Sequence, residues 1–224
     1  MKQLPLELPP TEPYALSYFV SHSGVIDAVT AFEQATQQVK QDPKLFQLIC
    51  LCGPRGTGKS HLLEGFRLRA TTELGIAADR CFVFEFGGNA GAEQPSAEEL
   101  IPWFVSTYER LKHEGGLLLA SVDESLLDAE RANPHLRSRL RSGHLIRVDY
   151  PSEGEYKPLL RSLLERRNLS LSERDLDYLL ERLPRDTLSF DQIFGKISQF
   201  SLMASKPARR GVIREVLEGE GEAR

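Results

Sequence analysis

Eight consecutive residues carry the clearest chemistry in the chain: Gly53-Pro54-Arg55-Gly56-Thr57-Gly58-Lys59-Ser60. Their spacing, G-x-x-x-x-G-K-S, is that of a loop that wraps phosphate. Without Cβ atoms, Gly56 and Gly58 let the backbone turn its amide hydrogens toward phosphate oxygens. Lys59 supplies an ammonium for the β- and γ-phosphates, and the Ser60 hydroxyl can ligate Mg2+. A helix beginning at Lys59 adds its positive end to the same spot. The expected ligand is ADP, ATP or another nucleoside polyphosphate, with Mg2+. A glycine-rich turn between strand and helix, binding nothing, is the plainer alternative.

Holding a triphosphate is not the same as splitting it. Hydrolysis needs a carboxylate near the metal and a group that orients water. Two places offer carboxylates. Asp123 and Glu124 follow the apolar run at 117–122. Glu85 stands near the end of CFVFEF, but beside it is Phe86, which accepts no proton. Asp123-Glu124 also reads as the polar end of a strand feeding a loop, and Glu85 as a solvated edge residue. Residues 131–147 hold five arginines and no acid. They form either a solvated basic surface or a segment from which one arginine reaches a phosphate, in its own subunit or a neighbouring one.

These groups need elements to hold them. Residues 45–52, LFQLICLC, form a short continuous apolar run, as expected of a strand buried on both faces of a parallel sheet. A helical pattern follows over residues 59–74. Residues 81–86, 117–122 and 145–150 are further strand candidates. Val25, Val29, Phe32 and Thr36 mark a helix over 25–40. Leu100, Phe104, Tyr108 and Leu111 mark another, with Ser96 and Glu99 at capping-box spacing. Pro102 fits only a first turn and leaves the start of that helix open. After Tyr150 the stripes are all helical: Leu159, Leu160, Leu163, Leu164; Leu176, Leu179, Leu180, Leu183; Phe190, Ile193, Phe194, Ile197. This order implies an α/β fold, a parallel sheet flanked by helices, followed by an all-helical subdomain. The expected boundaries are an extended tail at 1–13, an α/β domain at 14–150, a helical subdomain at 151–218 and a disordered end at 219–224.

Composition narrows the setting. Of the 224 residues, 41% are apolar and 27% charged, which excludes a disordered or collagen-like chain. A net charge of −4 argues against general coating of DNA or of an anionic membrane. Three cysteines match no disulfide framework or metal spacing. No apolar run approaches the roughly 18 residues of a membrane span, and MKQLPLELPP holds no signal core. The expected location is the cytoplasm.

Several segments together resemble AAA+ ATPases of the bacterial replication-initiator group, DnaA and its Hda-type regulators, most closely the latter. GPRGTGKSHLLEGF resembles the Walker A loop and helix of that group, extending the nucleotide site through His61. GGLLLASVDESLL resembles its sensor 1 strand, which places Asp123 at sensor 1. HLRSRLRSGHLIRVDYP resembles the arginine-finger segment, with Arg139 as the finger acting on a neighbouring subunit. On this alignment CFVFEF is the Walker B strand, with Glu85 in the metal-holding position and Phe86 in place of the second polar residue. The group has five core strands and this chain shows four, so the strand between Walker A and Walker B, an edge strand, is expected to be missing. DTLSFDQIF puts Leu188 where a sensor 2 arginine is usual, with Arg185 or Lys196 as substitutes. Gln3-Leu4-Pro5-Leu6 resembles the short motif by which Hda proteins hold the DNA polymerase sliding clamp. After the helical lid no basic helix-turn-helix like that of an initiator is expected.

The resemblance therefore implies a regulator. It would bind ADP or ATP with Mg2+, dock on the clamp, and promote ATP hydrolysis by DnaA. Little intrinsic ATPase activity and no sequence-specific DNA binding are expected, while a separate arginine finger implies subunit contacts, a homo-oligomer included. The alternative is a self-contained ATPase of helicase-loader type that uses Asp123 and Glu124.

Overall fold

The structure is a computed structural model, and it describes residues 14–86, 96–123, 133–204 and 209–221. The clamp-like residues Gln3, Leu4, Pro5 and Leu6, the loop at 87–95, Glu124 and the last three residues lie outside the described residues. Two compact units divide the chain, Tyr14–Tyr150 and the part from Pro151 onward.

In the first unit, β1 (Phe46–Cys52), β2 (Cys81–Phe86), β3 (Gly116–Val122) and β4 (His144–Arg147) form one sheet in the order β2-β3-β1-β4. Every pairing is parallel. The two central strands are the most apolar, and β3 is buried along its whole length. Alternation sends their side chains to two cores. On one face Ile49, Leu51, Leu117 and Leu119 pack with Phe32 of α1 (Ile26–Gln41) and with Leu62, Leu63 and Phe66 of α2 (Lys59–Thr72). There the Phe32 and Phe66 rings stack at 3.9 Å. On the other face Cys50, Leu118, Ala120, Phe84 and Phe86 pack with Phe104, Tyr108 and Leu111 of α3 (Ala97–Glu114) and with Leu136 and Leu140 of α4 (Pro134–Leu140).

The structure settles two questions of extent in this unit. Helix α3 begins at Ala97, with Pro102 in its second turn. The capping box decides this: Ser96 Oγ accepts from the Glu99 amide, and the Glu99 carboxylate accepts from the Ser96 amide at 2.7 Å. Pro102 then forgoes one helical bond, to the carbonyl of Glu98, and both residues are exposed where water can serve instead. The fourth strand is shorter than its apolar run, ending at Arg147. One more bond, Val148 N–H to the Cys52 carbonyl, extends the ladder before the chain turns away.

The second unit contains α5 (Tyr156–Arg166), α6 (Glu173–Leu180), α7 (Thr187–Ala204) and α8 (Arg210–Gly221). Its core is the set of helical stripes, with Leu159, Leu160, Leu163, Leu164, Leu176, Leu179, Phe190, Ile193, Phe194 and Ile197 all buried. Helix α8 runs to Gly221, three residues past the expected boundary at 218; glycine is well accepted at a helix C-terminus, where the last carbonyls make no intrahelical bond. No helix among the described residues is long and apolar enough to cross a membrane.

Candidate nucleotide site

The loop at 53–60 joins the buried end of β1 to the start of α2. Its three glycines all have positive φ: Gly53 at 144°, Gly56 at 78° and Gly58 at 87°. Gly53 is also held by space, since a Cβ there would lie 2.0 Å from the Val148 carbonyl oxygen. Thr57 is 1% exposed and donates to the Pro54 carbonyl at 2.9 Å, which fixes the bend of the loop. Gly58 precedes α2 in a left-handed conformation and has no side chain with which to cap it. The helix therefore presents the amides of its first turn as an anion site.

The charged groups are gathered around this loop. Lys59 Nζ donates to the Gly53 and Pro54 carbonyls at 2.8 and 2.7 Å. Ser60 Oγ donates to Glu85 Oε2 at 2.5 Å. Strand alternation explains that meeting. Glu85 shares the β2 face of Cys81 and Val83, the face that α2 covers, whereas Phe86 points to the opposite core and is 1% exposed. Val122 pairs with Cys52, so Asp123 leaves the sheet beside Gly53, half-buried. The donor set, an ammonium, a hydroxyl, a carboxylate and a glycine cradle, fits a nucleoside polyphosphate with Mg2+. Lys59 would hold phosphate, and Ser60 with Glu85 would hold the metal.

The segment from Leu16 to Val25 adds to the site although no local pattern in it announces a role. Short 3-10 turns at Leu16–Tyr18 and Ser23–Val25 bring Phe19 to the loop, with its ring 3.2 Å from where a Gly58 Cβ would be. The His61 ring meets Phe19 at 5.3 Å and Tyr14 at 5.9 Å, both edge-on, and its Nε2 lies 3.3 Å from the Ala15 carbonyl. An aromatic wall thus stands beside the phosphate loop. Tyr150 contributes as well; its hydroxyl donates to the Arg55 carbonyl at 2.7 Å from 95 residues away. No local signal could reveal a contact at such separation.

Arg139 lies on α4, away from the phosphate-loop face of the sheet. Its Nε and Nη2 donate to Glu109 Oε1 on α3 at 3.1 and 2.7 Å. In the second unit, Leu188 is exposed, and Arg185 is engaged with Glu153 at 3.0 Å. Among the described residues no group of three or more His, Cys, Asp or Glu could by itself hold a metal ion.

No family model matches the chain. An uncharacterised protein of Haemophilus influenzae is 22% identical over 236 residues, covering 96% of this chain and 98% of that protein. Among solved structures, domain III of the replication initiation protein DnaA of Thermotoga maritima superposes with a TM-score of 0.69 at 17% identity, covering 95% of this chain and 98% of that one. The Thermotoga maritima RuvB Holliday junction branch migration motor gives a TM-score of 0.62 at 14% identity, covering 92% of this chain and 72% of that one. AMPPCP-bound DnaA from Aquifex aeolicus also gives 0.62, at 20% identity, covering 86% and 66%. The fold is that of the AAA+ proteins: a parallel sheet flanked by helices, followed by a helical part.

Proposed function

We propose that the chain is an Hda-like regulator of DNA replication initiation. It binds ADP or ATP with Mg2+ through residues 53–61 and docks on the DNA polymerase sliding clamp through Gln3, Leu4, Pro5 and Leu6. It promotes hydrolysis by the initiator DnaA, with Arg139 as the arginine finger. In that reaction water attacks the γ-phosphorus of DnaA-bound ATP, the bond to the β–γ bridging oxygen breaks, and ADP, phosphate and a proton leave. The guanidinium stabilises the charge on the transferring phosphoryl group.

The observation that carries this reading is the pairing of a complete phosphate loop with a buried Phe86. Glu85 reaches Ser60 at 2.5 Å, where a metal-holding carboxylate belongs. The next residue on the strand is a phenylalanine in the opposite core and can orient no water. Such a site holds nucleotide and leaves turnover to a partner. The likeness to DnaA domain III is consistent with a DnaA-related protein. Phe19 and His61 are suited to stack against an adenine base.

Two measurements test this reading. Nucleotide at about 100 times its Kd should stabilise the protein by roughly 2.7 kcal/mol, and Lys59→Ala should lose that gain. Arg139→Ala should abolish stimulation of DnaA's ATPase while keeping the nucleotide-induced stabilisation. Stimulation that survives Arg139→Ala removes the finger role.

A second reading is favoured by one feature, Asp123 beside Gly53. A self-contained ATPase of helicase-loader type would use Asp123 and Glu124. Turnover by the isolated protein, lost on Asp123→Ala, would support it.

A further inference from the structure

Arg139 is held at both ends by groups that its proposed role leaves unexplained. At the head, Glu109 Oε1 takes Nε and Nη2, while Nη1 donates to the His135 carbonyl at 3.2 Å. The guanidinium carbon lies 5.6 Å from the centre of the Tyr108 ring. At the backbone, the Ser142 hydroxyl donates to the Arg139 carbonyl at 2.7 Å and sits 2.9 Å from the Tyr108 hydroxyl. A serine has one hydroxyl hydrogen, and that one is spent on Arg139, so Tyr108 must be the donor in this second bond. Tyr108 is anchored in turn, buried against Phe46 at 5.1 Å and Phe104 at 6.4 Å.

We infer that Glu109 is a positioning residue for the Arg139 finger, working with Tyr108 and Ser142; this rests on the finger reading above. A guanidinium has five donors in a rigid fork. Three are used here, which leaves one on each terminal nitrogen for a phosphate presented by a partner. Glu109 occupies the edge formed by Nε and Nη2, so the plane of the fork is set before the partner arrives. An arginine without that support keeps sampling many rotamers in the docked complex and must lose them each time the transition state forms. Preorganisation of this kind acts on the rate of the bound complex more than on its affinity.

The test measures ATP hydrolysis by ATP-loaded DnaA over a range of concentrations of this protein, clamp present, so that maximal stimulation and half-saturation are read separately. Glu109→Ala should cut maximal stimulation about tenfold and leave half-saturation unchanged. Glu109→Gln keeps an oxygen at the same position and should restore it to within about twofold. Ser142→Ala, which loosens only the backbone end, should fall between the two. The pair is half-buried, with Glu109 the more open partner, and ion pairs that keep contact with water add little to stability, so thermal midpoints should stay close to the parent protein's. If Glu109→Ala stimulates as well as the parent or better, the carboxylate restrains the finger or ignores it, and the inference fails. It fails equally if only half-saturation moves, or if Glu109→Gln is as poor as Glu109→Ala. Arg139→Ala separates the two levels. Loss of stimulation there with no effect at Glu109 sinks the positioning role alone, whereas retained stimulation there sinks the finger reading itself.

Discussion

At the scale of single residues, the phosphate loop combines two constraints that look alike in the sequence. Gly56 and Gly58 adopt positive φ so that the backbone can curl. Gly53 does so as well, and in addition has the Val148 carbonyl oxygen where its Cβ would be. Gly53→Ala therefore meets backbone strain and a clash with main chain that cannot move aside. We expect it to cost about 3 kcal/mol, read as a lower urea midpoint without nucleotide. The Ser60–Glu85 contact shows the reverse, a pair legible as two separate candidates whose meeting depends on which face of β2 Glu85 occupies.

At the scale of elements, the strands determine the state of the thiols. Cys50 and Cys52 lie on the β1 face that meets α3, and Cys81 lies on the opposite face of the sheet at the start of β2. Burial pushes the Cys50 thiol from 9.0 up to about 12, with the neighbouring Cys52 adding to the rise. Burial likewise raises Cys81 to about 12, against a smaller lowering effect of Arg67. Neither forms a thiolate near neutrality, and the thiolate is the reactive form. At pH 8 a thiol reagent should label none of the three in the folded protein and all three in denaturant, as counted by mass. The sign of the linkage follows. In the unfolded chain Cys50 and Cys81 ionise near 9 and in the fold only near 12. The stability tied to their neutral form is complete below pH 9 and is lost as the pH rises toward 12. Thermal midpoints should fall across that window, and less steeply for Cys50→Ser than for the parent protein.

At the scale of the whole molecule, the sheet order β2-β3-β1-β4 places the phosphate loop at the end of a central strand, flanked by β3 and β4. Both flanking strands deliver groups to the loop: Asp123 from the end of β3, and the segment from Val148 to Tyr150 after β4. The proposed clamp motif precedes this unit in the sequence, so binding the clamp and holding nucleotide should be separable. Removing residues 1–8 should abolish capture by immobilised sliding clamp while leaving the nucleotide-induced rise in thermal midpoint unchanged. Clamp capture by the shortened protein would place the contact elsewhere.

Local pattern alone determined a great deal of this protein. The apolar runs at 45–52, 81–86 and 117–122 could only be satisfied inside a sheet covered on both sides, and the stripes after Tyr150 only as packed helices. G-x-x-x-x-G-K-S identified the cradle because its chemistry lies within eight adjacent residues. Even the Ser96–Glu99 cap was readable, although whether it or Pro102 set the start of α3 was not, since that depended on Pro102 facing solvent. What the tertiary structure alone decided are the meetings of residues far apart in the chain: Glu85 with Ser60, Tyr150 with Arg55, Glu109 with Arg139, and the Phe19 wall beside Gly58. The physical reason is that strand alternation and helix spacing dictate which face a residue takes, while only sheet order and helix packing dictate what it finds there.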